Sequence, residues 1–310
     1  MKQTVALTGA TGFVGGVVLR RLLDQGHQVC ALARQPDQLP AHPNLHVVAG
    51  RLEDGPGLEH LVRGVDTVVH LAAAIAGRSY QDFARVNAAG TSRLVTAAER
   101  HNLGGKFLLI SSLAARSPGL SHYARSKKAA EHVVQSSSLD WMILRPPAVY
   151  GPTDPALAPL WRTLARGWLP RIGPRDARFS LLHVDDLAEA IRQALVLPRL
   201  GRKQACVHDG RPGGYTWNDL TEIAGTALNR RVRCLALPRA GLMLAARINL
   251  LLSRLARYQP LLSPGKVREL THSDWVCGDN LNAAVPDWQP RHTLQSALPD
   301  LPGWRQDSSD

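Results

Sequence analysis

The chain has 310 residues, 45% of them hydrophobic, which is enough for a large domain with a smaller partner and excludes wholesale disorder. Its formal charge of +12 comes from arginines spread along the whole length, with no run of five or six like charges, so a dedicated nucleic-acid arm is not expected. The same charge attracts anionic partners, whether a phosphorylated cofactor, an acidic substrate or an acidic lipid surface, although an arginine-rich composition accounts for it equally well.

In chain order, Val5-Ala6-Leu7 reads as a buried strand and Gly9 to Gly16 as a glycine-rich turn. Phe13 to Gln25 carries apolar residues at helical spacing and ends at Gly26. Gln28 to Ala33, Leu45 to Ala49, Val65 to Leu71 and Lys106 to Ser111 read as further strands, with a helix over Asn87 to Arg100 before the last of them. A long helix from about Ser121 to Gln135 precedes the strand Trp141 to Leu144. Strands alternating with helices imply an α/β fold, a Rossmann-type doubly wound parallel sheet with helices on both faces. Beyond Pro147 the pattern loosens into five prolines between Gly151 and Arg178, then helices over His183 to Leu195, Trp217 to Leu228 and Ala240 to Arg257. The expected division is a nucleotide-binding domain over 1–150, with returning segments around 179–210, and a mainly substrate-binding region over 151–310.

No charged leader precedes the first strand, and the longest apolar stretch, Gly241 to Ala256, is broken by Arg247 and Arg254. Cys30, Cys206, Cys234 and Cys277 lack C-x-x-C spacing, so neither a disulfide framework nor a zinc site is indicated. A cytoplasmic protein is expected, with no metal and no nucleic-acid partner.

Gly9-Ala10-Thr11-Gly12-Phe13-Val14-Gly15 lies between a strand and a helix. The first glycine permits the tight turn, the second lets backbone approach a pyrophosphate, and the third allows close helix–strand packing. Strand two ends Ala33-Arg34-Gln35, without the acidic residue that would accept hydrogen bonds from an NAD ribose. Arg34 is instead suited to a 2′-phosphate, so NADP(H) is expected over NAD(H). Tyr123 and Lys127 stand at i and i+4, on one helical face. A tyrosine near its ordinary pKa is a poor base; a lysine ammonium one turn away, with an oxidised nicotinamide, favours the phenolate. Ser112, and less favourably Ser111, ends a strand where it can donate to a substrate oxygen.

These pieces, with Val69-His70-Leu71-Ala72-Ala73, Val86-Asn87-Ala88-Ala89-Gly90-Thr91, Arg145-Pro146-Pro147-Ala148-Val149-Tyr150-Gly151-Pro152 and His183-Val184-Asp185-Asp186-Leu187, resemble an extended short-chain dehydrogenase/reductase over nearly the full length. The resemblance implies that Leu71, Ala72 and Ala73 line the cofactor, that Asn87 supports an active-site water network, and that Pro146 to Val149 pass near the nicotinamide. It also implies Ser112 as the catalytic serine and a homodimer through helices near 87–100 and 121–135. Two departures matter. Gly50-Arg51-Leu52 replaces a Gly-Asp-Leu/Ile whose aspartate contacts adenine, so either that contact is lost or Arg51 helps hold the 2′-phosphate; Arg51 and Leu52 are assigned to the cofactor. Phe179 stands where nucleotide-sugar epimerases carry a diphosphate-gripping arginine, with Arg178 one step off and so on the opposite strand face.

The expected function is NADP(H)-dependent hydride transfer at a carbonyl or alcohol carbon of an apolar or mixed small molecule. Tyr123 exchanges the proton, Lys127 holds the nicotinamide ribose, and Ser112 orients the oxygen. The rivals are a nucleotide-sugar epimerase or dehydratase with tightly bound cofactor, and a non-catalytic dinucleotide-binding subunit or redox sensor. Leu242, Leu244, Ala245, Ile248, Leu251, Leu252 and Leu255 form a broad apolar face, expected to pack in the core in preference to lying on a membrane surface. Peripheral membrane contact stays open. Trp161 and Trp168 are assigned to a pocket wall or to packing. His183, Asp185 and Asp186 are expected to cap the following helix.

Overall fold

The computed structural model describes residues 2–101, 105–278 and 285–304. Six strands, β1 (Thr4–Thr8), β2 (Gln28–Ala33), β3 (Leu45–Ala49), β4 (Thr67–His70), β5 (Lys106–Ile110) and β6 (Asp140–Arg145), enter the central sheet directly. The short strands β7 (Ala148–Tyr150), β8 (Trp168–Ile172), β9 (Arg178–Phe179) and β10 (Leu181–His183) lie outside it, and β11 (Lys203–Cys206) returns to it beside β6. The sheet order is β3-β2-β1-β4-β5-β6-β11, parallel throughout, with the chain reversing direction across the sheet at β1. Phe107, Leu108, Leu109 and Ile110 are all buried because helices cover both faces.

Alternation along each strand sorts the core. Val5, Leu7, Leu108 and Met142 face α1 (Phe13–Asp24), whose Val18 and Leu22 share one cluster with Leu187 and Ile191. Ala6, Phe107, Leu109 and Ile143 face the other layer, where Leu58, Leu61, Leu94, Val95, Ala130 and Val134 pack. That layer holds α2 (Gly55–Val62), the short α3 (Tyr80–Ala84), α4 (Thr91–His101) and α5 (His122–Gln135). The helix expected from Asn87 opens instead as a π-helical turn over Arg85–Gly90 before α4 begins. The Thr91 hydroxyl donates to the Asn87 carbonyl at 2.6 Å, taking an acceptor that a regular helix would give to backbone.

In the second half, α6 (Ala158–Ala165) supplies Trp161, only 1% exposed, to a third core with Tyr150, Leu169, Tyr215 and Leu220, so Trp161 is packing and not a pocket wall. Trp168 is exposed, with Arg233 stacked over its ring. The cap of α7 (Val184–Val196) is His183, whose side chain accepts from the Asp185 N–H. Asp185 and Asp186 occupy its first turn, and Asp186 also receives the Arg291 and His292 N–H groups. Then come α8 (Trp217–Leu228), α9 (Arg239–Leu255), α10 (Pro264–Leu270) and α11 (Leu294–Ala297).

Helix α9 departs from the expectation of a core-packing helix. Its buried residues are Ala246 and Ser253, while the apolar face carrying Leu244, Ile248 and Leu255 is exposed. Periodicity identifies an apolar stripe but not what covers it. Among the described residues no helix is long and apolar enough to cross a membrane.

Candidate active site

The carboxyl edge of the sheet gathers most of the residues singled out by the sequence. Following the strand order, the tips carry Arg51 after β3, Arg34 after β2, the glycine loop after β1, Leu71 to Ala73 after β4, and Ser111-Ser112 after β5. The switch point between β1 and β4 lies at the centre of this row, where open α/β sheets bind ligands.

The glycine loop fits a dinucleotide phosphate. Gly9 has φ +79°, and a Cβ there would sit 2.7 Å from the Ala72 backbone nitrogen. A Cβ on Gly15 would lie 1.9 Å from the Gly9 carbonyl oxygen, so α1 approaches β1 this closely only through glycine. Gly12 caps α1 without any side-chain hydrogen bond to the first turn, and Thr11 and Gly12 are exposed. The first N–H groups and the positive dipole end are therefore presented to the adjoining groove, which Arg20, Thr153 and Pro155 also line. Phe13 and Val14 pack partly against the core, leaving backbone as their contribution.

Arg34 and Arg51 stand exposed on neighbouring strand tips, beyond the last paired residues Ala33 and Ala49, and neither has a carboxylate partner among the described residues. Leu52 does not join them. It is 5% exposed and fills the core beneath Gly90, where a Cβ would lie 2.9 Å from it; the chain turns inward immediately after Arg51.

Past β4, Leu71, Ala72 and Ala73 are half-buried and face the glycine loop. Their position is fixed by a buried network that sequence reasoning missed. Thr8 Oγ1 accepts from the Ala72 N–H at 3.2 Å and meets His70 Nδ1 at 2.7 Å, while His70 Nε2 meets Thr91 Oγ1 at 2.9 Å. Burial, assisted by the Lys127 ammonium, pushes the His70 pKa down to about 3, so its ring is a neutral relay. Asn87, 1% exposed, spends its side chain here: Oδ1 accepts from the Ala74 N–H at 2.7 Å, and Nδ2 donates to the Ala74 carbonyl and the Ser126 hydroxyl. Asn87 thereby ties the cofactor-side loop to the helix that bears Tyr123 and Lys127.

Helix α5 is capped by Ser121, whose hydroxyl accepts from the Ala124 N–H and donates to the buried Glu269 carboxylate of α10. Tyr123 is half-buried, with the Phe83 ring edge-on at 6.3 Å. Lys127 is 3% exposed and donates to the Ile110 carbonyl at 2.8 Å, using one of its three donors. Burial lowers its pKa to about 8 against the pull of Glu131.

The lowering of the phenol pKa is expected with an oxidised nicotinamide beside Lys127; in the protein alone the shift is upward. Burial pushes Tyr123 up to about 12, Glu269 adds to the rise, and a hydrogen bond with Ser112 opposes it. The ammonium is committed to the β5 carbonyl and held in a dry site, so in the protein alone the phenol keeps its proton through the neutral range.

The two serines divide. Ser112 is half-buried beside Tyr123 and accepts from the Ala114 N–H. Ser111 is buried and donates to Glu131 at 2.7 Å, so its hydroxyl serves neither cofactor nor substrate. Glu131, 0% exposed, also takes Arg145 through Nε at 2.7 Å and Nη2 at 2.5 Å. Sequence reasoning missed this pair: Glu131 lies four residues after Lys127 on the same helix face, but its partner comes from β6. The Pro146 ring is buried, its carbonyl accepting from the Leu113 N–H, and Val149 packs against the first core. Their closeness to a nicotinamide would rest on backbone.

The same sheet and glycine loop recur among known proteins. Residues 9–158 match a family model described as NAD(P)H-binding. A ceramide reductase of Caulobacter vibrioides is 35% identical over 280 residues, covering 89% of this chain and 86% of its own. A 3 beta-hydroxysteroid dehydrogenase/Delta 5-->4-isomerase of Mycobacterium tuberculosis is 31% identical over 213 residues, 59% of this chain and 57% of its own. The solved structure of MoeE5 in complex with UDP-glucose and NAD superposes with a TM-score of 0.74 at 20% identity, over 97% of this chain and 98% of that one, which shows a shared fold. With its seven-stranded parallel sheet and this relationship along most of its length, the chain belongs to the extended short-chain dehydrogenase/reductase superfamily, as an NAD(P)-dependent oxidoreductase.

Proposed function

We infer that the chain is an NADP(H)-dependent reductase of a carbonyl on a lipophilic small molecule. The observation that carries this reading is geometric: Tyr123 stands one helical turn from the buried Lys127 on α5 and hydrogen-bonds with Ser112 at the carboxyl edge of the sheet. The nicotinamide, when bound, supplies hydride transfer at the carbonyl carbon. The protein's part is position and electrostatics. Ser112 and Tyr123 hold the carbonyl oxygen, and the phenol gives it a proton as charge develops there. Lys127 offers its remaining donors to the nicotinamide ribose, and Gly12 to Gly15 receive the pyrophosphate.

Reduction requires the protonated phenol and alcohol oxidation the phenolate, so the upward shift that burial gives Tyr123 moves the oxidation limb to higher pH. Glu269 is part of that rise, so Glu269→Gln is expected to move the alkaline limb of the oxidation profile to lower pH. The Ser121 hydrogen bond is retained by the amide oxygen, which keeps the helix cap. A profile that stays in place or moves up contradicts the role given to Glu269.

Arg34 and Arg51 support NADP(H) over NAD(H), since guanidinium groups at the tips of β2 and β3 with no carboxylate partner among the described residues suit a phosphomonoester. Arg34→Ala is expected to weaken NADPH binding by roughly tenfold to a hundredfold, the loss of one or two charge-assisted hydrogen bonds, and to leave NADH nearly unchanged. Calorimetric titration of both cofactors checks this, and equal affinities in the unaltered protein would overturn it.

The lipophilic substrate draws on the relatives named ceramide reductase and hydroxysteroid dehydrogenase. It also draws on the site where an epimerase would grip a diphosphate: Phe179 packs on Trp217, and Arg178 turns to the Gly213 carbonyl at 3.2 Å. Pairing of two copies across α4 and α5, in a cytoplasmic protein making peripheral membrane contact, completes this reading.

A further inference from the structure

Leu244, Ile248, Leu251 and Leu255 fall at i, i+4, i+7 and i+11 along α9, hence in one stripe, and are 60, 50, 59 and 75% exposed. Leu252 widens the stripe, and Leu235 before the helix and Leu261 after it are also exposed. A continuous apolar patch of this kind on a folded chain marks a contact surface.

Charge identifies the occupant. Between Glu222 and Glu269 the sequence holds no acidic residue, whereas Arg230, Arg231, Arg233, Arg239, Arg247, Arg254, Arg257, Lys266 and Arg268 all fall there. Arg247 and Arg254, seven residues apart and exposed, run along one border of the stripe, where guanidinium groups can reach anionic headgroups while the leucines lie deeper. A second copy meeting this face two-fold would bring the same cations against one another.

We propose that α9 docks the protein on an anionic lipid surface, apolar stripe inward and arginine border at the headgroups. The surface is linked to the catalytic helix by one short element. Helix α10 packs back on α9, its Glu269 accepts from Ser121, and its Arg268 donates to the Leu120 carbonyl at the start of α5. Docking thereby brings the start of α5, with Tyr123, towards the membrane, where a lipophilic carbonyl resides; this last step alone rests on the reading given above.

The test is co-sedimentation of the full chain with vesicles of phosphatidylcholine alone and with added phosphatidylglycerol. Binding is expected to the anionic vesicles and to weaken with salt as the arginine border is screened. The pairs Arg247→Gln/Arg254→Gln and Ile248→Glu/Leu251→Glu are each expected to lower partitioning by about tenfold or more. NADPH affinity, read by nicotinamide fluorescence, should stay unchanged. Failure to bind at any phosphatidylglycerol content, equal binding to phosphatidylcholine alone, variants that bind as well as the parent, or a stable dimer dissolved by Ile248→Glu would each overturn the proposal. Retained NADPH binding and ketone reduction alongside any of these results would leave the reductase reading standing.

Discussion

Tyr123→Phe is expected to lower turnover by about 10²- to 10⁴-fold, the usual contribution of a positioned proton donor, while NADPH binding changes little. The substitution removes one oxygen and keeps the ring that packs edge-on against Phe83, so the fold around α5 is preserved. Ser112 retains its hydrogen bond from the Ala114 N–H and still reaches a substrate oxygen, leaving substrate affinity close to that of the parent. The loss should therefore fall on kcat and not on KM, in steady-state kinetics with a saturating ketone. If turnover survives at the parental level while NADPH still binds, Tyr123 is not the proton donor; if neither the parent nor the variant turns over any ketone while both bind NADPH, the non-catalytic dinucleotide-binding subunit becomes the better description.

Arg145→Met is expected to destabilise the fold by about 3–5 kcal/mol, because it strands a buried carboxylate. Glu131 has no exposure, and Arg145 supplies it with two of its closest hydrogen bonds. Lys128 remains at 3.6 Å and Ser111 at 2.7 Å, which softens the loss without replacing a bidentate partner. The damage spreads to the active site: Glu131 is the group that holds up the Lys127 pKa against burial, so a disturbed carboxylate alters the lysine as well. Chemical denaturation of the variant measures the effect. The double variant Arg145→Met/Glu131→Leu should recover much of it, since removing both charges leaves no unpaired ion.

How much of this could be read from the residues alone depended on where each signal resides. The strands and the glycine loop were legible because they are local: a continuous apolar run such as Phe107 to Ile110, or three glycines between a strand and a helix, carries its meaning within a few residues. Tyr123 and Lys127 were legible for the same reason, their spacing being one helical turn. The supporting groups were not. His70 looks like any histidine in an apolar strand, and its role as a neutral relay exists only once Thr8 and Thr91 stand on either side. Arg145 meets Glu131 across two elements, and Glu269 reaches Ser121 from 148 residues away.

Boundaries failed where side chains compete with backbone. Thr91 and Asn87 turn an expected helix start into a π-helical turn, and the residue after Arg51 dives into the core where a cofactor contact was expected. The spacing also does not show what burial does to the phenol. A lysine at i+4 with an oxidised nicotinamide favours the phenolate, whereas in the protein alone that ammonium serves the Ile110 carbonyl and burial raises the phenol.

The most direct measurement of the central claim uses NADPH carrying deuterium on the transferring carbon of the nicotinamide, with a panel of lipophilic ketones and mass spectrometry of the products. Deuterium should appear on the carbinol carbon of at least one product at neutral pH, and Tyr123→Phe should abolish nearly all of it while still binding the cofactor. Tight NADPH binding with no deuterium delivered to any carbonyl, or undiminished delivery by Tyr123→Phe, would contradict the account.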